Sequence, residues 1–258
     1  MLSSKKIVLL GREDSPTAIL YNALRSEFPI SAVVVEEGES RLKFVKRRAK
    51  RLGLGKALGQ IAFRLAVVPW LKLTSRRRVE EILRQSALDA SPMPAAKLTR
   101  VTSVNSDECI RVLQELEPSV IVVSGTRIIA ARVLNCVRAV FINMHAGITP
   151  MYRGVHGGYW ALVEKNLDAC GVTVHEVDTG VDTGRILGQA RITPNGVDNF
   201  ATYGFLQLAA GLPLLKKAIR DACEGQLQPV AAPSGESRLW THPTFGEYVY
   251  HRIKSGVK

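Results

Sequence analysis

An amide and an imidazole stand two residues apart at Asn143 and His145, and two carboxylates, Asp178 and Asp182, follow in a glycine-rich stretch. In an extended chain, residues i and i+2 point to the same side, so Asn143 and His145 face one reacting centre. An amide donor, an imidazole and a carboxylate together suit addition to a carbonyl. The amide hydrogen-bonds the developing oxyanion, the imidazole moves a proton, and the carboxylate orients or polarises it. An Asn and a His at a strand end also serve simply to cap loops, and chemistry alone leaves both readings open.

Other chemistries lack their residues. The first strand–helix turn reads Gly11-Arg12-Glu13-Asp14-Ser15-Pro16, without the GxGxxG of a dinucleotide site. The GLGKALG stretch starting at Gly53 lacks the GK[ST] ending of a phosphate loop, and a basic helical linker is the better reading. There is no GxSxG elbow. The histidines, at 145, 156, 175, 242 and 251, form neither HExxH nor HxxxH, so no metal is expected. The four cysteines show no CxxC, which points to a reducing compartment.

The elements that must position Asn143 and His145 are visible in the apolar pattern. Strands are expected at 6–10, 30–35, 98–104, 119–123, 139–143 and 171–177, with a hairpin partner at 186–192. His145 is then just past a strand end. Helices are expected from Ser15, as cap, to about Glu27, from Ser106 to about Glu117, and over 128–137, 155–165 and 199–222. Residues 38–93 read as basic and helical, and Pro69 should kink any continuous helix there. The tail from Glu224 onward is irregular, with weak strand signals. This alternation predicts an α/β fold: a mostly parallel twisted sheet with helices on both faces and a basic helical insertion. Sites in such sheets lie beyond the carboxyl ends of the strands.

Asn143-x-His145, Pro150-x-Tyr152-Arg153-Gly154, Gly171-Val172-Thr173-Val174-His175 and Asp178-x-Gly180-Val181-Asp182-x-Gly184-x-Ile186, in that order, resemble the folate-dependent formyltransferase family. It includes glycinamide ribonucleotide, methionyl-tRNA and sugar-nucleotide N-formyltransferases. The resemblance is close over 118–192, looser over the first two strands, and does not reach 38–97 or the tail. It implies a Rossmann-like formyltransferase fold and formyl transfer from 10-formyltetrahydrofolate, a co-substrate, to a primary amine. By the family pattern Asn143 holds the formyl oxygen, His145 stabilises the tetrahedral intermediate and shuttles protons, and Asp182 orients His145, positions a water or relays the proton from amine to folate nitrogen. Arg127, Ile128 and Ile129, with Val177, Asp178, Thr179, Gly180 and Val181, would hold the pterin. Arg127 is otherwise a surface cation at a helix start. His175 reads as structural, and His156 as either structural or lining the acceptor side.

The acceptor follows by elimination. The turn after strand one does not match the glycine- and serine-rich phosphate loop of the glycinamide ribonucleotide enzymes. Only 36 residues follow Ala222, too few for the C-terminal barrel of the methionyl-tRNA enzymes. A small amine remains, best an amino sugar on a nucleotide or lipid carrier. The alternatives are those two activities, a formyltetrahydrofolate hydrolase, whose relatives carry a further N-terminal domain, and a non-catalytic folate-binding relative.

The chain has 258 residues, 46% hydrophobic and 22% charged, enough to bury a core and too apolar for disorder. Residues 1–222 are expected to form the catalytic domain, with insertion 38–97, and 223–258 a short C-terminal extension. The net charge is +12, but residues 41–100 hold sixteen lysines and arginines against three acids. The rest of the chain is nearly neutral. A segment so basic suits an anionic membrane surface or a phosphate-bearing substrate better than nucleic acid, unless it serves only solubility. The apolar cluster from Phe63 to Leu73, with Trp70, lies between cationic runs as in an interfacial helix. Neither a signal-peptide core nor the roughly 20 apolar residues of a membrane span occurs, so the expected location is cytoplasmic, peripheral at a membrane if the basic segment docks there.

Overall fold

The early strands are apolar on both sides, and each side has its own core. The computed structural model describes residues 5–38, 48–50 and 52–258. Strands β1 (Ile7–Gly11), β2 (Ile30–Glu36), β3 (Leu98–Val101), β4 (Val120–Ser124) and β5 (Val140–His145) pair in parallel in the order β3-β2-β1-β4-β5. After the short strand β6 (Arg153–Gly154), β7 (Gly171–Glu176) and β8 (Ile186–Arg191) extend that sheet antiparallel, making seven strands. Side chains alternate across a strand. Ile7, Leu9, Val33, Val35, Val120 and Val122 therefore face one core, and Val8, Leu10, Val34, Ile121, Val123 and Phe141 the other.

Helices cover both faces, as the alternation predicts. The first core is closed by α1 (Ser15–Leu24). The residue capping α1 is Asp14, whose carboxylate accepts from the Thr17 N–H at 3.1 Å; Ser15 is already helical. Between β2 and β3 the insertion forms α2 (Leu54–Ala62), a π-helical turn (Phe63–Val67), α3 (Val68–Thr74) and α4 (Arg76–Gln85). The expected kink at Pro69 takes the form of that turn. A widened turn just upstream relieves the clash between a proline ring and the carbonyl four residues earlier. Cations 41, 43, 46, 47 and 51 of the basic segment lie outside the described residues. Arg78 grips the fully buried Asp198 carboxylate with two bonds, 2.8 and 3.1 Å long, which ties the insertion to the main body.

Helix α5 (Asp107–Leu116) starts at the Ser106 cap and closes the second core. The helix expected over 128–137 is shorter, α6 (Ala131–Leu134). Asn105 holds the Ile128 carbonyl and the Ala130 N–H, at 2.9 and 2.7 Å, and keeps that stretch extended. Helix α7 (Gly157–Val163) precedes β7, and α8 (Tyr203–Glu224) packs its Leu215 and Ile219 on the first core. The tail is more ordered than its composition suggests. Strand β9 (Leu239–Trp240) pairs with β6, and α9 (Phe245–Ser255) begins with a reciprocal capping box between Thr244 and Glu247. A third core joins Phe63, Val67 and Leu71 of the insertion to Tyr159, Tyr203 and Tyr248.

Candidate active site

Register brings the polar residues together. The antiparallel pairing of β5 and β7 sets Asn143 opposite His175 and His145 opposite Thr173. His145 is the last residue of β5 rather than just beyond it. Asn143 Nδ2 lies 3.1 Å from His175 Nε2, and His175 Nδ1 lies 2.7 Å from the Glu176 carbonyl. A carbonyl only accepts, so His175 carries a proton on Nδ1; its Nε2 accepts from Asn143 while the ring is neutral and faces Asp182 as a donor when the ring is protonated. One N–H of the Asn143 amide is thereby occupied, and the other is left for a ligand oxygen.

His145 follows the same logic. Its Nε2 donates to the Tyr152 carbonyl at 2.7 Å, which leaves Nδ1 facing Asp182 Oδ2 at 3.4 Å. Asp182 Oδ1 is 3.6 Å from His175 Nε2, so the carboxylate sits between two imidazoles. The Gly154 N–H donates to Asp182 Oδ2 at 2.8 Å. Asp182 has φ +52°, a backbone strain that non-glycine residues adopt mostly where surrounding structure enforces it. Gly147 lets the loop return: a Cβ there would lie 2.4 Å from the Tyr152 carbonyl oxygen and 2.8 Å from His145 Nε2.

The electrostatics suit proton movement. Burial lowers the His145 pKa, opposed by the Asp182 charge and the Tyr152 carbonyl. Burial works to raise the Asp182 pKa, but His175, His145 and the Gly154 amide together bring it below the usual carboxylate value. The resting pair is therefore neutral imidazole and ionised carboxylate, and a proton arriving at Nδ1 is stabilised by Asp182.

A cavity of about 320 Å³ adjoins Asp182, lined among others by Thr149, Arg153, Arg185, Val230 and Ser237. Arg153 Nε and Thr149 Oγ1 are buried there without a hydrogen-bond partner among the described residues.

The residues expected to hold a pterin are disposed unequally. Ile128 is 56% exposed, whereas Ile129 is buried in the second core. The Arg127 guanidinium is engaged by Glu36 at 2.9 Å, the Glu37 carbonyl at 2.7 Å and Ser103 at 3.1 Å, and it lies in a loop, not at a helix start. Its side chain braces the carboxyl end of β2, so the loop can offer a ring its main chain and Ile128. Val177 is half-buried, and Asp178 Oδ1 accepts from the Gly180 N–H and the Thr183 hydroxyl, at 3.0 and 2.7 Å. The Val181 carbonyl accepts from Arg153 at 3.1 Å. The other main-chain groups of 178–181 have no partner among the described residues. An exposed isoleucine and open peptide groups are features that a flat heterocycle with polar edges can use.

His156 is outside this cluster. Its Nε2 is 2.9 Å from His242 Nδ1, on the far side of β6 in sequence. The contributions of His175, the Tyr152 carbonyl and the Gly154 N–H were not anticipated. Main-chain groups leave no side-chain signature, and a cross-strand partner needs the register. Among the described residues, no group of three or more His, Cys, Asp or Glu is placed to hold a metal ion.

Residues 72–198 match the family model described as formyl transferase. The methionyl-tRNA formyltransferase of Thermodesulfovibrio yellowstonii is 32% identical over 133 residues, covering 51% of this chain and 43% of that protein. The chain thus spans less than half the length of that curated relative. A sugar N-formyltransferase from a Shewanella species superposes with a TM-score of 0.55 at 14% identity, over 90% of this chain and 75% of that one. Glycinamide ribonucleotide transformylase 1 from Symbiobacterium toebii does so with 0.56 at 20% identity, over 88% and 92%. At such identities the superpositions speak for the fold, a Rossmann-like sheet shared by all three. The match over 72–198, just under half of the chain, contains β5, β7 and the Asp182 loop, and over those residues the chain is similar to the formyl transferase family.

Proposed function

We propose that this chain transfers a formyl group from 10-formyltetrahydrofolate to the primary amine of a small acceptor, an amino sugar carried on a nucleotide or a lipid. The observation that carries the reading is the meeting of Asn143, His145 and Asp182 around one point, with His175 between Asn143 and the carboxylate. The folate supplies an activated formyl group. The free N–H of Asn143 donates to the formyl oxygen as it gains negative charge. His145 Nδ1, backed by Asp182, takes the proton that the amine loses and returns it to the departing folate nitrogen, so the transfer is proton-neutral. Ile128 and the main chain of 178–181 hold the pterin ring.

The acceptor reading rests on the cavity beside Asp182. Arg153 and Arg185 with the hydroxyls of Thr149, Thr183 and Ser237 suit a hydroxylated substrate that carries an anionic group. A second reading, methionyl-tRNA as acceptor, is favoured by the names of the curated relatives that match over half of this chain.

Mass spectrometry separates them. The chain is incubated with 10-formyltetrahydrofolate and, in parallel, a nucleotide-linked amino sugar, glycinamide ribonucleotide, charged methionyl-tRNA or no amine. A formyl adduct on the amino sugar is expected. An adduct on the tRNA alone replaces the acceptor assignment. Tetrahydrofolate release without any amine makes the chain a hydrolase. A thermal shift with 5-formyltetrahydrofolate but no turnover makes it a binding relative.

A further inference from the structure

The insertion has two apolar faces where a surface helix normally has one. Its inner face, Ala57, Phe63, Val67 and Leu71, is buried. Its outer face is also apolar: Leu54, Leu58, Leu65 and Leu73 are 61–72% exposed and Trp70 is 49% exposed. At 3.6 residues per turn, Leu54, Leu58 and Leu65 fall within about 40° of one line along the helix. The π turn Phe63–Val67 takes up about one extra residue, which brings Leu73 back to that line. The stripe is roughly 30 Å long.

The charges in the same run have one sign. Lys56, Arg64, Lys72, Arg76 and Arg77 are exposed, and no acid occurs from residue 54 to residue 78. Arg252 of α9 lies over the Trp70 ring, 5.3 Å from its centroid, adding a further cation at the tryptophan. Protein interfaces deplete lysine and combine both signs of charge. A nucleic acid would use the cations but leave four leucines in water. An anionic bilayer surface uses both features: the leucines enter the acyl boundary, the cations meet headgroups, and tryptophan favours that depth. Among the described residues, no helix is long and apolar enough to cross a membrane.

We propose that residues 54–77 dock this protein onto a bilayer bearing anionic lipid headgroups, with Leu54, Leu58, Leu65, Trp70 and Leu73 inserted and the exposed lysines and arginines at the phosphates. This docking is independent of which amine is formylated.

Vesicle flotation of the full chain tests it. Phosphatidylglycerol-rich and pure phosphatidylcholine vesicles are compared at low and high salt. Flotation with the anionic vesicles, reduced by salt, is expected. Leu58→Ser with Leu65→Ser should weaken partitioning about tenfold per leucine. Arg76→Gln with Arg77→Gln should weaken it about fivefold per cation. All four positions are exposed, and circular dichroism checks folding. Trp70→Phe should abolish a vesicle-induced blue shift of emission without preventing flotation, because Trp160 and Trp240 stack on each other at 4.8 Å. Recovery in solution at low salt with anionic vesicles overturns the proposal. Flotation that survives the leucine pair overturns it too, since adsorption is then purely electrostatic. A dimer in sedimentation velocity that the leucine pair dissolves, with no vesicle binding, gives the stripe to a second copy.

Discussion

Two imidazole pairs stand at the two ends of the 146–155 loop, and their surroundings differ in sign. His145 and His175 have ring centroids 6.4 Å apart with the Asp182 carboxylate within reach of both. His156 and His242 are 4.6 Å apart and have arginines for neighbours. Gln60 ties this second pair into the insertion: it accepts from Arg48 at 2.5 Å and donates to the His242 carbonyl at 2.5 Å. Burial, helped by the charges of Arg64 and Arg48, pushes His156 down to about 3. Burial, His156 and the same two arginines push His242 down to about 2. Burial lowers His145 as well, but there a carboxylate works against it. Burial thus holds His145, His156 and His242 all neutral, but a proton arriving at His145 meets a carboxylate whereas one arriving at the second pair meets arginines.

Exchanging the carboxylate for an amide should break the contrast most strongly. Asp182→Asn keeps the shape but removes the charge that stabilises protonated His145. Turnover should fall about two to three orders of magnitude, with the far-ultraviolet spectrum and binding of 5-formyltetrahydrofolate retained. Near-full formyl transfer by this variant would remove Asp182 from the proton path.

His175→Ala should have a smaller effect of a different kind. It frees the Asn143 amide to rotate, so kcat should drop about tenfold to a hundredfold while KM for the amine changes little. His175→Gln, which offers an oxygen acceptor, should restore part of the loss. Equal changes in kcat and KM, or no recovery with Gln, would reduce His175 to a packing residue.

The locked pair gives a stability signature. Each of its imidazoles stays neutral in the fold but takes a proton near pH 6.5 once unfolded. Folded pKa values below the unfolded value mean stability that is complete above pH 6.5 and lost as pH falls toward about 3. The slope is about 1.4 kcal/mol per pH unit for each such imidazole. Urea melts between about pH 7 and pH 5 should show it, and His242→Asn should flatten it. Parallel curves for both proteins would mean that this pair titrates normally.

The smallest expected effect concerns the guanidinium itself. Arg64 is exposed and solvent-screened, so Arg64→Gln should leave the His156 and His242 rings neutral throughout a proton NMR titration between about pH 8 and pH 5. A shift of His145 instead would show the two pairs to be coupled.

Legibility from sequence tracked the range of the interaction responsible. The five parallel strands and the hairpin were written in runs such as SVIVV and in the turn residues of DTGVDTG. Asn143 and His145 were readable because their relation spans two residues of one strand. His175 opposite Asn143 depends on a register across 32 residues, and no local pattern encodes that. The anchor of Asp182 is a peptide N–H, the same in every non-proline residue. The 128–137 stretch misled because a side chain outside it, Asn105, outbids helical hydrogen bonds. The helix in the tail did have a local signal, the Thr244/Glu247 capping box, hidden by weak apolar periodicity.

The pairing of β6 with β9 bears on how the protein is made. Gly154, whose N–H holds the Asp182 carboxylate, is clasped by Trp240: the Val155 N–H donates to the Trp240 carbonyl at 3.2 Å, and the Arg153 N–H donates to the Arg238 carbonyl at 3.1 Å. On a translating ribosome, Asn143, His145 and Asp182 all emerge well before that clasp. A nascent chain therefore holds all three side chains while the carboxylate still lacks its Gly154 seat, which the β6–β9 pairing completes only once Leu239 and Trp240 have left the exit tunnel.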